Sequence, residues 1–287
     1  MGGGSWTSTA FNDYTVSTRG MSASSYATCD SLSTQAVYKK RTIDRALSPY
    51  EVMRECLDTA EHPNTRPVIL ALDVTGSMGS AAVEVSKKLG EIMEQIYDSG
   101  KCPDVEFCIM AIGDLVYDEA PVQISQFESD VRIAEHLDKV FFEGGGGGNN
   151  YESYTAAWYM GVNHCKLDCW SRGARGILIT LGDERLNPVL RSDQIREFIG
   201  DNLQADVETE ELFSEAVRKF EIHHISVKDR HSCYERNNYD DAVDKSWELL
   251  GQNYHVSTID NLSTLISDIV TGEVEDVSNP VTQEISW

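Results

Sequence analysis

Four segments of this 287-residue chain carry oxygen-bearing side chains at spacings that can do chemistry. In Asp73-Val74-Thr75-Gly76-Ser77-Met78-Gly79 a carboxylate and two hydroxyls recur at every second residue. In an extended turn that period points all three the same way, and Gly76 and Gly79 let the backbone bend tightly beside them. Oxygen donors with few charges, and space left for water, suit a hard dication such as Mg2+, with Mn2+ or Ca2+ as alternatives. In a purely structural role the same residues would make local turn and helix-capping hydrogen bonds. The other segments are Gly113-Asp114, Gly182-Asp183-Glu184, and the glycine run 144–148 followed by Asn149-Asn150-Tyr151-Glu152-Ser153. A run of five glycines is either a flexible linker or a place where backbone comes close to an ion or partner. Its shortness and its position between two helical stretches favour the second.

Each segment is positioned by what precedes it. Val68–Leu72 is a continuous apolar run that stops at Asp73; Val105–Ile112 stops at Gly113-Asp114; Ile177–Leu181 stops at Gly182-Asp183. Such runs mark strands buried on both faces. Pro121–Ile124 is shorter and alternates, as an edge strand does, and Ile222–Val227 and Tyr254–Val256 add two more strands. Between them helices are expected from Gly79 onward (Val85, Leu89, Ile92, Met93 and Ile96 on one face), over 130–140, Tyr151–Cys165, 189–200, 207–219, Asn237–Leu250 and 260–270. Strands alternating with helices require crossover connections. The expected fold is therefore doubly wound (Rossmann-like) α/β, a mainly parallel six-stranded sheet with one antiparallel edge strand and helices on both faces. Ligands of open α/β sheets bind beyond the carboxyl ends of the strands, so the four segments should converge on one edge.

Apolar strand, then D-x-T-G-S-M-G, then amphipathic helix resembles the first motif of the von Willebrand factor A (vWA) domain, and the resemblance spans residues 67–271. In that family the motif, D-x-S/T-x-S, forms a metal-ion-dependent adhesion site (MIDAS). The family's second element, often G-G-x-T-P-E, is met here by G-G-G-N-N-Y-E-S-Y. Asn150 thus stands where the threonine would, Glu152 matches the glutamate, and Asn149 and Ser153 are rivals for the ligand role. Asp183 matches the third element. The resemblance implies metal ligation by Asp73, Thr75, Ser77, Asn150 and Asp183. Thr75 and Ser77 would bind directly or through one water, and Asp73 and Asp183 would hold coordinated waters. Asp114 would be an outer-shell carboxylate or structural. It further implies a non-enzymatic scaffolding module inside the cell, which engages a carboxylate of a partner protein through the bound cation, in assemblies that often include ring ATPases.

Residues 1–47, rich in Ser, Thr, Gly, Ala and Tyr without periodicity, read as a flexible or partner-dependent arm. Ser48-Pro49 reads as the start of a short helix through Cys56 and Leu57, followed by a linker to 66; residues 272–287 read as a loose acidic tail. The net charge of -23 excludes a basic stripe for nucleic acid and disfavours anionic membranes. An acidic partner would have to surround its coordinating carboxylate with basic groups. No run of 18 apolar residues exists, the first residues lack the features of a secretory signal or a myristoylation site, and the seven cysteines are odd in number and scattered. A cytoplasmic setting is expected. Zinc at His164, Cys165 and Cys169 lacks a second ligand pair, and His223 and His224, adjacent in a strand, face opposite ways. Neither a P-loop nor a G-x-S-x-G elbow is present. The competing reading is a haloacid dehalogenase-like, Mg2+-dependent phosphatase with Asp73 as nucleophile. It lacks the second aspartate two residues on (Thr75 stands there) and leaves no room for a flap before the helix.

Overall fold

The computed structural model describes residues 4–145, 149–228 and 237–274. Six strands form the main sheet: β1 Arg66–Asp73, β2 Val105–Ile112, β3 Val122–Ile124, β4 Gly176–Gly182, β5 Phe220–Val227 and β6 Tyr254–Ser257. Their order is β6-β5-β4-β1-β2-β3, parallel throughout except for β3, which runs antiparallel to β2 at the edge. This is the doubly wound α/β sheet expected from the apolar runs. The helices are α1 Ser8–Arg19, α2 Ala23–Ala27, α3 Thr34–Val37, α4 Gly79–Asp98, α5 Arg132–Asp138, α6 Thr155–Asn163, α7 Ser192–Phe198, α8 Thr209–Lys219, α9 Asn237–Ser246 and α10 Leu262–Thr271.

Alternate residues of a strand face opposite sides, and β1 divides accordingly. Val68, Leu70 and Leu72 enter a core with α4 and α10, whereas Ile69 and Ala71 enter the core on the other face with α6 and α8. The buried length of β1 thus has no solvated face, which is why it reads as one apolar run.

The structure corrects the reading of residues 1–47 as an arm. Trp6, Phe11, Tyr26, Val37, Tyr38 and Leu47 are all buried, most of them in the core that α4 and α10 share with the sheet. The Ser and Thr residues that suggested disorder include helix caps: Thr7, Ser22 and Ser33 side chains accept from Ala10, Ser25 and Ala36 backbone N–H groups. Phe11 lies on Gly90 of α4, where a Cβ would come within 2.7 Å of its ring. Tyr38 Oη donates to Ala82 O at 2.7 Å. Apolar anchors this widely spaced form no helical stripe, so periodicity does not reveal them.

The helix expected from Ser48 is also absent. Arg45–Leu47 is a 3-10 turn, Glu51 takes φ +52, and Arg54–Cys56 is a strand pairing in parallel with Cys165–Leu167. A left-handed residue stops helix propagation, and the Arg54 guanidinium is held by the carbonyls of Ala46, Ser48 and Ile124. Other helices are shorter than expected, and Val189–Leu190 pairs antiparallel with Val207–Glu208 ahead of α7 and α8. Tyr151–Glu152 pairs with Arg185–Leu186 as strand before α6 begins, and α9 gives way to a 3-10 stretch, Glu248–Asn253. Gly272 closes α10 at φ +69. Most of the expected acidic tail (275–287), the glycines 146–148 and Cys233 lie outside the described residues. The other six cysteines are free. No helix among the described residues is long and apolar enough to cross a membrane.

Candidate metal centre

From β1 the chain passes through α4 to β2 on one side, and later through α6 to β4 on the other side of β1. The carboxyl ends of β1 and β4 therefore flank the switch point, where open α/β sheets bind ligands. Asp73 ends β1 and Asp183 follows β4. Asp73 is only 1% exposed. Its Oδ1 accepts from Thr75 N at 2.8 Å and from Thr75 Oγ1 at 2.5 Å, and its Oδ2 accepts from Tyr154 Oη at 2.7 Å. Thr75 Oγ1 lies 3.5 Å from Ser77 Oγ, which donates to Asp183 Oδ1 at 3.0 Å. The result is a linked row of oxygens, Asp73–Thr75–Ser77–Asp183, buried at the first and opening to solvent at exposed Ser77 and half-buried Asp183. The local hydrogen bonds of a structural Asp73 are thus present, and so is the cross-loop link that a turn alone does not require.

Backbone geometry holds this row. Gly76 N donates to Gly145 O at 2.9 Å and Gly144 N to Val74 O at 3.1 Å, so the start of the glycine run is laced onto the first loop. At Gly182 a Cβ would fall 1.9 Å from Tyr154 Oη; only glycine lets the phenol reach Asp73. Tyr154 also accepts from Glu184 N at 3.3 Å, joining both strand exits through one hydroxyl.

Burial pushes the carboxyls at this edge upward. Burial, and then the neighbouring Asp183, push the Asp73 carboxyl up to about 7 against the hydrogen bonds from Thr75 and Tyr154. Burial and the charges of Asp73, Asp114, Asp118 and Glu184 push Glu152 up to about 10. Burial raises Asp114, Asp118 and Glu184 as well. No lysine or arginine donates to Asp73 among the described residues. Nor do any three His, Cys, Asp or Glu side chains there come together so as to hold a metal by themselves. A cation at the Asp73–Asp183 row needs the Thr75 and Ser77 hydroxyls. Those donors fit a hard dication: each hydroxyl gives its proton to an aspartate and keeps oxygen lone pairs for the ion.

Of the residues expected at the site, Asp73, Thr75, Ser77 and Asp183 come together. Asn150 is exposed and makes no hydrogen bond to Asp73, Thr75 or Ser77. Asp114, Asn149, Glu152 and Ser153 lie one loop away: Leu115 N donates to Ser153 Oγ at 3.0 Å, and Ser153 N donates to Gly113 O at 3.3 Å. Ser153 is thus occupied by backbone. Sequence reading missed Tyr154, whose only signal is a tyrosine two residues past Glu152 with a glycine ending the facing strand. It also missed Tyr239, which donates to Glu184. Elsewhere, His164 bonds Val52 O and Asp201, both at 2.8 Å, and His224 stacks on Trp247 with ring centroids 3.6 Å apart. Both roles are structural.

No protein-family model matches the chain, and no curated protein matches it. Solved structures do. The pilus adhesin SpaC from Lactobacillus rhamnosus GG is 12% identical over 78% of this chain and 31% of its own, with TM-score 0.50. This chain therefore spans about a third of SpaC, and the likeness is one of fold. The vWF domain of the type V pili tip protein Mfa5 from Porphyromonas gingivalis is 11% identical over 72% of this chain and 94% of its own, with TM-score 0.43. For BatB from Bacteroides thetaiotaomicron the corresponding values are 12%, 72%, 98% and 0.43.

Proposed function

We propose that the chain is a vWA-type protein-interaction module that binds a divalent cation, Mg2+ foremost and Mn2+ or Ca2+ otherwise, through Thr75 and Ser77 with Asp73 and Asp183 behind them. A carboxylate of a partner protein completes the site. The observation that carries this reading is the row of four linked oxygen side chains at the switch point, with buried acid beside it and, among the described residues, no basic side chain bonded to Asp73. When bound, the cation supplies positive charge against Asp73 and Asp183 and a coordination position for the partner's acid. Tyr154 fixes the Asp73 carboxylate, Asp73 and Asp183 orient the two hydroxyls, and the exposed side of Ser77 admits the partner. With a net charge of -23, the chain favours a partner whose acid lies within a basic surface. The cytoplasmic setting follows from the scattered cysteines and the sequence features of the first residues, and the link to ATPase-associated assemblies from the family resemblance.

The phosphatase reading has less support. Asp73 is 1% exposed, both its oxygens accept hydrogen bonds, and among the described residues no lysine is bonded to it to neutralise a phosphoryl group. A pulldown with Mg2+ and again with chelator tests the proposal. Partner capture should vanish with chelator and in Ser77→Ala, and an aryl phosphate should not be turned over. Chelator-resistant capture, or turnover lost in Asp73→Asn, would refute it.

A further inference from the structure

Buried polar atoms in native proteins nearly always have a partner, and those that lack one point to an ion or water. Beside the Asp73 row, three such oxygens lie on two loops that are bonded to each other: Asp114 Oδ2, Asn149 Oδ1 and Glu152 Oε2. Asp114 is 2% exposed and Glu152 4%. Their positions are fixed from several directions. Asp114 Oδ1 accepts from Val116 N at 2.8 Å and its N–H donates to Asp118 Oδ2 at 2.7 Å, so only Oδ2 is left over. Glu152 is held in the two-residue strand against Leu186. The bonds from Leu115 to Ser153 and from Ser153 to Gly113 clamp the two loops side by side, and Asn149 is near enough to Asp114 to offset in part the upward push of burial on its carboxyl. The charges acting most strongly on Glu152 are Asp73, Asp114, Asp118 and Glu184, all acidic. Arg185, whose charge acts on Glu184, lies over the rings of Tyr151 and Tyr239 at 6.0 and 5.3 Å.

We propose that Asp114, Asn149 and Glu152 form a second divalent-cation site, adjacent to the Thr75–Ser77 site and separate from it. Two carboxylate oxygens and an amide oxygen, with no nitrogen or sulfur donor, are a hard set that suits Ca2+ or Mn2+, ions that accept irregular oxygen shells filled out by water. Such an ion ties the loop after the glycine run to the exit of β2, and so stiffens one wall of the first site. It requires no partner protein and stands whether or not the first site captures one.

The test counts bound Mn2+ on the full chain by the electron paramagnetic resonance signal of free ion during titration at neutral pH, with circular dichroism melting to verify the fold. Wild type should bind two ions. Ser77→Ala with Asp183→Asn should leave one, and Asp114→Asn with Glu152→Gln should leave one. Asn149→Ala, which removes a neutral ligand only, should weaken one of the two ions at least about fivefold and leave the other unchanged. A single wild-type ion lost with Ser77 and Asp183, and untouched by the other variants, overturns the second site and leaves the first. A single ion lost only with Asp114 and Glu152 does the reverse. No bound ion overturns both.

Discussion

Asp138 and Asp73 are both withdrawn from solvent, and burial drives both carboxyls upward, yet the chain surrounds them differently. Asp138, at the end of α5, is met by the Arg19 guanidinium and by Tyr14 Oη at 2.6 Å. Arg19 in turn lies 4.1 Å over the Tyr26 ring, and Tyr26 Oη is 2.8 Å from Ser86 Oγ of α4. Asp73 has Tyr154 in the place of Tyr14, but a second acid, Asp183, in the place of the arginine. Where an acid serves to fasten the N-terminal segment to the domain, the chain supplies the counter-charge itself. At the sheet switch point Asp73 is met by hydroxyls and more acid, and no lysine or arginine bonds to it among the described residues. A buried carboxylate without compensation is unfavourable, so the difference between the two sites is itself an argument for an ion.

The largest effect should come from removing the internal counter-charge. Arg19→Met leaves the partly buried Asp138 with only the charge of Lys39 acting on it and removes the ionic tie between α1 and α5. The expected loss is about 3 kcal/mol, in the range for breaking one partner of a buried pair, read as a lower midpoint in urea unfolding. A change under about 0.5 kcal/mol would mean the N-terminal segment is held by its apolar anchors alone. At the other acid the sign should differ. In chelator, Asp73→Asn removes a charge that repels Asp183 while its side-chain oxygen can still accept from Thr75. Stability at neutral pH should hold or rise by up to about 1 kcal/mol. A loss comparable to that of Arg19→Met would mark Asp73 as a structural residue after all.

What the sequence makes legible follows the same division. Strands buried on both faces announce themselves as apolar runs, and Asp73, Asp114 and Asp183 are conspicuous because each ends one. The spacing of Thr75 and Ser77 needs only the local turn. The N-terminal segment escapes detection because each of its short helices contributes one or two anchors, and because its capping serines and threonines resemble a linker. Arg19–Asp138 joins residues 119 positions apart, and no local pattern can carry that pairing. The same holds for Tyr154 on Asp73, which depends on the absence of a side chain at Gly182 in another strand.

The pH response gives a smaller and more specific contrast. Asp73 has a folded-state value near 7 against 3.8 as the ordinary value. The folded state then binds more protons than the unfolded one across that interval. The stabilising contribution is complete below about 4 and is lost as pH rises through about 7. In chelator, wild type should therefore lose stability over that window relative to Asp73→Asn, and saturating Mg2+ should abolish the difference in slope. Parallel pH profiles for the two proteins in chelator would remove the electrostatic part of the account.

The central claim is that an external cation neutralises Asp73 and Asp183. It is tested most directly by calorimetric titration of Mg2+ into the wild-type chain and into Asp73→Asn at pH 7.5. The expected result is saturable binding by wild type and affinity at least about tenfold weaker in Asp73→Asn, a difference of about 1.4 kcal/mol. Equal affinities in the two proteins, or no binding to wild type, would contradict it.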